Sequence, residues 1–515
     1  MTEPATSEPI SPKKQRPFII AVEYLLGRDL CAVLACFACL LAPVIAGVGL
    51  GFTSPTIDTM SNSVISPKTG QRIPIGSNSN LYVFHSSAIS SFFSAVFTLG
   101  ALVGALAGGP IAEPFGRRYA LMVSSPISAL SYLVIALANN AALLVVFRFI
   151  AGFGMGIGSF VTGVYISEIA PTHLRGVLGA ANQLCYSFGA LFVYGIALCT
   201  LTSAGSSHPA ATSGTFCDWR TLSYYCMIPS GLLFFTMFLS PETPRWLATR
   251  GRLDEAKRSL VLIRGLPITD CQLDAEVGVL NELAAANGSG EKGMLFKDRL
   301  RLLLCENTRQ CIIACDIHSF TQFIGLNALA FYQTSFFQLA GLDNANVMAL
   351  TVQLVTAVSN LAACFLVDRL GRRPLILWSS LGMAVGQFLL GLFFYLDRDG
   401  TAGDLAWLPV LACYIVQVAV ATGVGPIRWM LSAELFPDEI RGMASSMATT
   451  ANWLSAFIVI ELLTPAVDGT SLQTVFWFFA AVGVALATFV WFLIPETKGK
   501  SLEEIQKIFH RSNNE

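Results

Sequence analysis

The sequence predicts an all-α membrane protein in which twelve transmembrane helices form two six-helix bundles joined by a short cytosolic helical linker. Composition is the first reason: 54% of the 515 residues are hydrophobic and 13% are charged, against about 45–50% and about 25% in soluble proteins. The second is that apolar stretches long enough to span a bilayer recur along the chain, and the third is that short motifs repeat between its halves. Together these observations exclude an ordinary soluble enzyme.

Each predicted span is an apolar run close to the roughly 20 residues that cross the hydrocarbon core of a bilayer. The spans are predicted at residues 30–53, 87–110, 117–138, 141–168, 175–201, 219–240, 309–339, 346–367, 373–396, 405–434, 441–464 and 472–494. The polar residues before the first run precede many such runs, so they are predicted to be an uncleaved tail rather than a signal peptide.

The distribution of Lys and Arg predicts the orientation. Of the 32 Lys and Arg residues, 26 fall in the N-terminal segment, the connections that follow even-numbered spans, and the C-terminal segment. Placing these segments inside leaves four basic residues outside and two, Arg148 and Arg428, within spans. The positive-inside rule therefore predicts that both termini are cytosolic.

The chain is accordingly divided into five segments. They are an N-terminal tail (1–29), a first six-helix bundle (30–240), a linker (241–308), a second six-helix bundle (309–494) and a C-terminal tail (495–515). The linker is charged and contains amphipathic stretches, which predict short helices on the cytosolic surface. Residues 56–84, rich in Ser, Asn and Gly, are predicted to be an outer loop.

Three motifs occur twice, in the same order and at nearly one spacing. They are Gly-Arg-Arg at 116–118 and 371–373 (offset 255), Glu-x6-Arg at 168–175 and 434–441 (offset 266), and Pro-Glu-Thr at 241–243 and 495–497 (offset 254). A shift by six spans preserves topology, so both copies are expected on the cytosolic side, as in parallel halves related by an axis along the membrane normal. Substrate would then bind between the halves, near the midplane.

The motifs carry a resemblance to a known family. They are GGPIAEPFGRR (108–118), RFIAGFGMGIG (148–158), YISEIAPTHLRG (165–176), PETPRWL (241–247), VDRLGRR (367–373), GPIRW (425–429), AELFPDEIRG (433–442) and PETKG (495–499). This set resembles the sugar porter family of the major facilitator superfamily over about residues 30–500. LGFTSPT (50–56) and DWRT (218–221) are most similar to the branch of plant early-responsive-to-dehydration carriers, insect trehalose carriers and intracellular-type glucose facilitators.

Charged residues of the repeated motifs are predicted to form a cytosolic gate, because multidentate guanidinium–carboxylate pairs could latch the halves together. The predicted gate residues are Arg117, Arg118, Glu168, Arg175, Glu242, Arg245, Asp368, Arg372, Arg373, Glu434, Arg441 and Glu496. The alternative is that these charges only set topology. Glu113 and Pro114 stand where the family usually has Asp-Arg, so the latch of the first half is expected to be looser than that at 368–369.

The resemblance implies a sugar site on spans 5, 7, 8, 10 and 11. The residues carried over by position are Gln183, Thr321, Gln322, Asn327, Trp429 and Asn452. Amides offer donors and acceptors to vicinal hydroxyls, and an indole face packs on the apolar side of a sugar ring. The alternative for each amide is a hydrogen bond between helices. Phe331 and Tyr332 are expected to form an outer gate, with ordinary packing as the alternative.

Three departures from the family leave the sugar open. Thr321 replaces a glutamine, Thr356 stands where the eighth span usually has an amide, and Ala456 replaces an asparagine. Glucose is the first expectation, while fructose, another hexose or a polyol remain alternatives.

The predicted function is facilitated diffusion of a hexose by alternating access, with no enzymatic activity and no metal or cofactor. The alternative is a proton-coupled sugar or polyol symporter, which in this family uses a first-span carboxylate near the arginine equivalent to Arg148. The matching position is interpreted as Gly49, and no Asp or Glu occurs between Asp29 and Asp58, which favours uniport.

A third hypothesis is a nutrient sensor, which in this family has long cytosolic tails, unlike residues 495–515. The expected partners are a sugar and the lipid bilayer, a monomer being sufficient. A net charge of -1 gives no basic surface for nucleic acid. The plasma membrane is the default location, with an endomembrane as the alternative.

Two charges stand where the family is usually uncharged, Asp316 in span 7 and Arg428 in span 10. Each lies about 9–10 Å from the cytosolic boundary at 1.5 Å per residue. Because lone charges in a membrane usually pair, we hypothesise an Asp316–Arg428 ion pair below the sugar site, with His318 as a third member and a role in coupling. The alternative is that Asp316 bonds water or His318 while Arg428 extends to the surface.

Overall fold

The structure is a computed structural model that describes residues 30–60, 63–65, 72–74, 83–84, 86–171, 174–203, 215–264, 276–282, 296–342, 344–397, 405–436, 438–469, 471–496 and 498. The predicted N-terminal tail 1–29 therefore lies outside the described residues, and of the predicted C-terminal tail 495–515 only residues 495, 496 and 498 are described. Some side chains inside described helices also lie outside the description, including those of Arg175, Asp368, Glu434 and Arg441.

The prediction of an all-α protein with twelve spans is confirmed for the described residues. The spans are Leu30–Ile57, Ala88–Phe115, Arg117–Leu137, Ala141–Ile169, Val177–Cys199, Trp219–Leu239, Thr308–Leu339, Ala345–Cys364, Arg372–Leu396, Trp407–Ser432, Gly442–Leu463 and Leu472–Leu493, and they are called spans 1 to 12 below. The membrane face that carries the 241–308 connection is called the linker face, and the other the opposite face.

Several helices extend beyond the apolar spans or divide them. In chain order they are α1 (Leu30–Cys39), α2 (Leu41–Met60), α3 (Ser87–Phe115), α4 (Arg117–Leu137), α5 (Ala141–Ile169), α6 (Arg175–Cys199), α7 (Trp219–Leu239), α8 (Pro244–Thr249), α9 (Leu253–Arg264), α10 (276–282), α11 (Phe296–Arg301), α12 (Thr308–Phe323), α13 (Leu326–Leu339), α14 (Ala345–Leu370), α15 (Arg372–Leu396), α16 (Trp407–Thr422), α17 (Val424–Glu434), α18 (Asp438–Gly469) and α19 (Leu472–Leu493), with a π-helical turn at Leu302–Glu306. Helices α8 to α11 form the described part of the linker, where short helices are predicted.

Two antiparallel strand pairs lie at the opposite face, where the sequence predicts only loops. Strand β1 (Ser63–Ile65) pairs with β2 (Arg72–Pro74), and β3 (Leu201–Ser203) pairs with β4 (Thr215–Cys217). Because isolated two-stranded pairs are marginal in water, these pairs depend on the spans to which they are attached.

Spans 2, 4 and 6 begin at the opposite face on polar capping residues. Side-chain oxygens of Ser86, Asn140 and Asp218 each accept a hydrogen bond from the backbone N–H two residues on, at 3.3, 2.9 and 3.1 Å. Such caps satisfy N–H groups that have no partner in the first turn of a helix.

Spans 7 and 10 are interrupted within the membrane, each at a glycine. Gly325 has a φ of 86°, and a Cβ there would lie 2.5 Å from the Phe479 ring. Gly423 separates α16 from α17, and a Cβ there would lie 2.4 Å from the Cβ of Ser379. Irregular backbone at this depth is tolerated where protein surrounds it. Both breaks are packed against other spans, Gly325 against span 12 and Gly423 against span 9.

Close helix packing in the first six spans depends on glycine. A Cβ at Gly100 would lie 2.1 Å from the Phe149 carbonyl oxygen, and one at Gly152 would lie 2.1 Å from that of Phe97. Spans 2 and 4 therefore pack backbone against backbone, as small residues allow in membranes.

The two sets of six spans meet near the opposite face. The Ser54 and Thr334 hydroxyls are 3.0 Å apart, and the Thr334 backbone N–H donates to Ser54 Oγ at 3.0 Å. Below this contact, Leu50 of span 1 belongs to one buried cluster with Phe331 of span 7 and Trp453 of span 11. The halves are thus closed against each other at this face.

Candidate functional site

Polar residues beside the break in span 7 form a hydrogen-bonded group with spans 10 and 11. Gln322 Nε2 donates to Asn452 Oδ1 at 2.9 Å, and His318 Nδ1 lies 3.4 Å from the same oxygen. His318 Nε2 lies 3.1 Å from Ser432 Oγ. All four residues are buried. The structure therefore brings together two of the amides carried over from the family, and it adds His318 and Ser432, which sequence comparison did not place there.

The amide pair leaves one acceptor open. Gln322 Oε1 is buried and has no hydrogen-bond partner, and a buried polar group left in this way costs about 1–3 kcal/mol. A ligand hydroxyl that donates to this oxygen would recover that cost. Thr321 is different, because its hydroxyl donates to the Ile317 carbonyl oxygen of its own helix at 2.6 Å. Of the two neighbours, only Gln322 offers a free group.

Trp429 supplies an aromatic surface beside this group. Its side chain is exposed to 36%, and its ring centroid lies 4.5 Å from that of His318 in an edge-on arrangement. Gln183 on span 5 is half-buried, and Asn327, which follows the break in span 7, is buried at 6% exposure. An accessible indole face next to an open amide oxygen suits a molecule with one apolar and one hydroxylated face.

Further amides support the break and the contact between halves, and the sequence prediction did not include them. Gln387 Nε2 donates to the Ile324 carbonyl oxygen at 2.7 Å, next to the interruption. Asn360 on span 8 donates to Ser187 on span 5. Thr356, interpreted as the site of a lost amide, donates to the Val352 carbonyl oxygen of its own helix. The signal that could have identified Asn360 and Gln387 is the presence of an amide inside an apolar span.

Arg148 is fully buried in the first half. Its contacts with span 1 show that the residue opposite its side chain is not the one interpreted from the sequence. Nη2 donates to the Gly49 carbonyl oxygen and to Thr53 Oγ1, both at 2.7 Å. The guanidinium carbon also lies 4.4 Å from the Phe97 ring centroid. The side chain that faces Arg148 from span 1 is thus Thr53, while Gly49 contributes only backbone, because residues four apart share one helix face.

The hypothesised ion pair between Asp316 and Arg428 is absent from the described structure. Arg428 is buried at 7% exposure, and its Nε and Nη1 atoms have no hydrogen-bond partner. That hypothesis rests on residue counts from the predicted span ends and leaves out the rotation of a helix, about 100° per residue. Asp316 is two residues from His318 and therefore lies about 200° around span 7 from the face that contacts span 10. His318, not Asp316, is the residue that reaches span 10.

At the linker face, the Pro-Glu-Thr glutamates cap the helices that begin with the Arg-Arg pairs. Glu242 accepts hydrogen bonds from the backbone N–H groups of Arg117 and Arg118, both at 3.1 Å. In the second half, Glu496 accepts from the corresponding groups of Arg372 and Arg373 at 3.0 and 3.1 Å. The repeated motifs therefore build the same local structure twice, a carboxylate at a helix N-terminus, where it is electrostatically favoured.

The described guanidinium contacts of the first copy also stay within one half. Arg117 forms an ion pair with Glu168 at 3.0 Å, and Arg118 Nε donates to the Met237 carbonyl oxygen at 3.0 Å. Burial raises the pKa of Glu242, while the backbone donors and Arg117 act in the opposite direction. Arg245 is exposed. These contacts make a rigid base for spans 3 and 6, and a gate between halves stays a prediction.

The linker is attached to span 2 at Glu113, one of the two residues that depart from the family pattern. The Glu113 carbonyl oxygen accepts hydrogen bonds from Trp246 Nε1 and Arg250 Nη2, each at 2.7 Å. The linker is thus held through backbone at this position, whichever side chain it carries.

The predicted outer gate lies at the contact between the halves. Phe331 is fully buried in the cluster that joins spans 1, 2, 7 and 11, and Tyr332 packs at its edge. Their position is on the opposite-face side of Gln322, since span 7 runs away from the linker face.

Comparison with known proteins gives one consistent family. A family model described as "Sugar (and other) transporter" matches residues 32–509. The chain is 32% identical to the facilitated trehalose transporter Tret1 of Drosophila mojavensis over 92% of its own length and 51% of the relative's. It is 31% identical to that of Culex quinquefasciatus over 92% and 85%. The chain thus spans about half the length of the first curated relatives it matches.

Solved structures of one bacterial protein share the fold. The inward-open xylose transporter XylE of E. coli superposes with a TM-score of 0.71 at 26% identity, over 92% of this chain and 98% of that one. The proton:xylose symporter XylE bound to 6-bromo-6-deoxy-D-glucose gives a TM-score of 0.71 at 26% identity, over 93% and 99%.

Proposed function

We propose that this chain, which belongs to the sugar porter family of the major facilitator superfamily, carries a sugar of hexose size across a membrane by facilitated diffusion. The family prediction made from the motifs is confirmed by the family model and by the relatives. Transport, substrate and coupling are the proposed part. A sugar rather than another solute is supported by the chemistry of the residues at the break in span 7.

One observation carries the proposal: the Gln322–Asn452 pair presents an unpartnered amide oxygen beside the accessible indole of Trp429. The pair lies on spans 7 and 11, close to the cluster through which these spans meet spans 1 and 2. A site there can be reached from either face as the halves rock, which is the requirement of alternating access. Gln183 and Asn327 are proposed as further sugar contacts.

The surroundings of Arg148 favour facilitated diffusion. In the described structure, the guanidinium is held by a carbonyl oxygen, a hydroxyl and three aromatic rings rather than by a carboxylate. A proton carrier would need an acid that titrates during the cycle. The relatives bear the description "facilitated", in agreement with this proposal.

Proton-coupled symport is the second candidate, and one residue favours it. Asp316 is a half-buried carboxyl in span 7, two residues from His318. The XylE structures, whose protein is described as a proton:xylose symporter, share the fold.

The moving bodies are proposed to be residues 30–240 and 309–494, connected by the cytosolic linker 241–308. In the described conformation the opposite face is closed by the Ser54–Thr334 contact and by Phe331. Opening that face requires these contacts to break, and a new contact must then form at the linker face.

The proposal is tested by uptake into proteoliposomes of the purified full chain. Labelled glucose, fructose, xylose and trehalose are offered separately, with and without a protonophore. We expect one hexose-sized sugar to equilibrate without accumulating, at a rate that the protonophore leaves unchanged. Accumulation that the protonophore abolishes would establish symport instead, and absence of uptake of every sugar would overturn the proposed function.

A further inference from the structure

Arg428 is a buried cation for which the described part of the chain supplies no counter-charge. Its residue exposure is 7%, and two of its three guanidinium nitrogens, Nε and Nη1, are buried without a hydrogen-bond partner. Asp316, which the sequence hypothesis paired with it, forms no ion pair with it in the described structure. A charge in this environment is costly unless something pairs with it.

Arg148 shows how this protein stabilises a buried guanidinium without a carboxylate. Its Nε and Nη1 atoms also lack a hydrogen-bond partner, but Nη2 donates two hydrogen bonds at 2.7 Å, and three aromatic rings have centroids between 4.4 and 5.4 Å from the central carbon. Arg428 has a single described aromatic neighbour, Trp429, at 5.4 Å. Arg148 therefore has described hydrogen-bond acceptors and three aromatic neighbours, whereas Arg428 has only the Trp429 ring among the described residues. In this part of the chain the guanidinium of Arg428 lacks the acceptors that stabilise the other.

The position of Arg428 relative to the amide pair follows from one contact. His318 on span 7 and Ser432 on span 10 lie at the same depth, 3.1 Å apart. Span 7 runs away from the linker face and span 10 runs toward it. Gln322 lies one helical turn after His318, and Arg428 lies one turn before Ser432, so both are about 6 Å further from the linker face. Gln322 and Arg428 are thus attached at about one level of the backbone, on spans 7 and 10.

The third side of this space is span 5. Helix α6 of span 5, which carries Gln183 and Tyr186, packs against α17, which carries Arg428. Trp429, the neighbour of Arg428, keeps 36% of its surface accessible. The unpaired cation therefore borders the same region as the residues proposed to bind the sugar, and it is not directed into lipid.

We propose that the transported molecule is a sugar acid, a hexose-sized ring that carries one carboxylate. The carboxylate pairs with Arg428, a ring hydroxyl donates to Gln322 Oε1, and the apolar ring face packs on Trp429. A planar carboxylate fits the fork of guanidinium N–H groups in a bidentate arrangement. A single unpaired cation matches a monoanion better than a phosphate dianion. This inference rests on the proposed function, since it assigns the substrate of the same site.

The test compares hexose-sized ligands that share a pyranose ring and differ in the charge of the group at C6. The purified full chain in detergent is titrated with D-glucuronate, its neutral methyl ester, D-glucose and D-glucose 6-phosphate. Charge-assisted hydrogen bonds lead us to expect that glucuronate binds about tenfold or more tightly than the methyl ester and glucose. In Arg428→Gln the ratio of the affinities for glucuronate and for its methyl ester should fall to about one. Arg428→Lys, which retains the charge without the planar fork, should keep part of the preference.

Equal binding of glucuronate and its methyl ester by the wild-type chain, with glucose still bound, would overturn the inference and leave the proposed function intact. Tighter binding of glucose 6-phosphate than of glucuronate would overturn the choice of a carboxylate. If none of the four ligands binds, the proposed sugar site itself fails. Thermal melting of both variants must match the wild type within a few degrees. If Arg428→Gln unfolds, the proposal is decided by the wild-type chain alone, from its relative affinities for glucuronate and for the methyl ester.

A second measurement does not depend on variants. A uniporter that carries a monoanion moves one negative charge per cycle, so glucuronate must accumulate in proteoliposomes whose interior is held positive. Glucose, carried by the same protein, must reach equal concentrations on both sides. Equal distribution of both ligands at every imposed potential would contradict the proposal.

Discussion

Removing Gln322 and Asn452 singly and together tests whether they act as one recognition unit. Each Ala substitution removes a side chain that is proposed to contact the sugar and also breaks the hydrogen bond of 2.9 Å between the amides. The double variant loses that bond only once. Because either substitution already releases the partner amide from its hydrogen-bonded position, the effects on affinity should be less than additive, by about 0.5–1.5 kcal/mol, or about 2- to 13-fold in Kd.

The assay is equilibrium competition for a transported sugar by the wild-type chain, the two single variants and the double variant. Thr321→Val is the matched control, because Thr321 is adjacent in sequence and buried, and its hydroxyl is already bonded to its own helix at 2.6 Å. That variant should bind the sugar as the wild type does. Strict additivity of Gln322→Ala and Asn452→Ala would refute the paired geometry, and unchanged affinity in both would refute the site.

Three other predictions address the coupling, the helix break and the linker face. Thr53→Asp replaces the hydroxyl that now lies 2.7 Å from Arg148 Nη2 with a carboxylate, so sugar uptake should become dependent on external pH. The control Thr53→Asn should show no such dependence, and identical pH profiles of the two variants would contradict this prediction. Gly325→Ala should lower the melting temperature more than Gly341→Ala. Both glycines have positive φ (86° and 75°) and share a backbone cost of about 1–2 kcal/mol, but only a Cβ at Gly325 would meet an aromatic ring, at 2.5 Å, whereas one at Gly341 would meet open space. Equal shifts in melting temperature would argue against close packing at the break. Burial raises the pKa of Glu242 above its ordinary value of 4.5, so the folded state binds the proton more tightly than the unfolded state does. The free energy of unfolding should therefore fall as the pH rises from about 4.5 through the raised pKa. Glu242→Gln should remove this pH dependence from thermal melts, and a dependence that persists would belong to another group.

The sequence was sufficient to predict the spans and their number. Apolar runs such as 117–138 and 472–494 correspond closely to the observed spans Arg117–Leu137 and Leu472–Leu493. The reason is that bilayer thickness and the absence of water impose a length and a composition on each span independently of its neighbours. The internal repeat was also visible, because a parallel duplication preserves the motifs at each copy.

The chemistry of the candidate site was predicted only in part. Gln322 and Asn452 are 130 residues apart, and their contact could be expected only from the resemblance to a family. His318 was considered solely as an accessory to an ion pair. Its actual position between Asn452 and Ser432 depends on how spans 7, 10 and 11 are rotated against one another.

Rotation about the helix axis is what the sequence could not supply. Apolar residues surround most of each span, so the contrast that reveals the buried face of a helix in water is weak here. The hypothesis pairs Asp316 with Arg428 by counting residues from the predicted span ends, whereas the structure places His318 opposite Ser432 on span 10. The side chain that meets Arg148 is that of Thr53, not position 49. The length, order and topology of the spans follow from whether each segment lies in lipid or in water. The direction in which a side chain points follows from how the twelve spans pack against one another, and only the tertiary structure decides that.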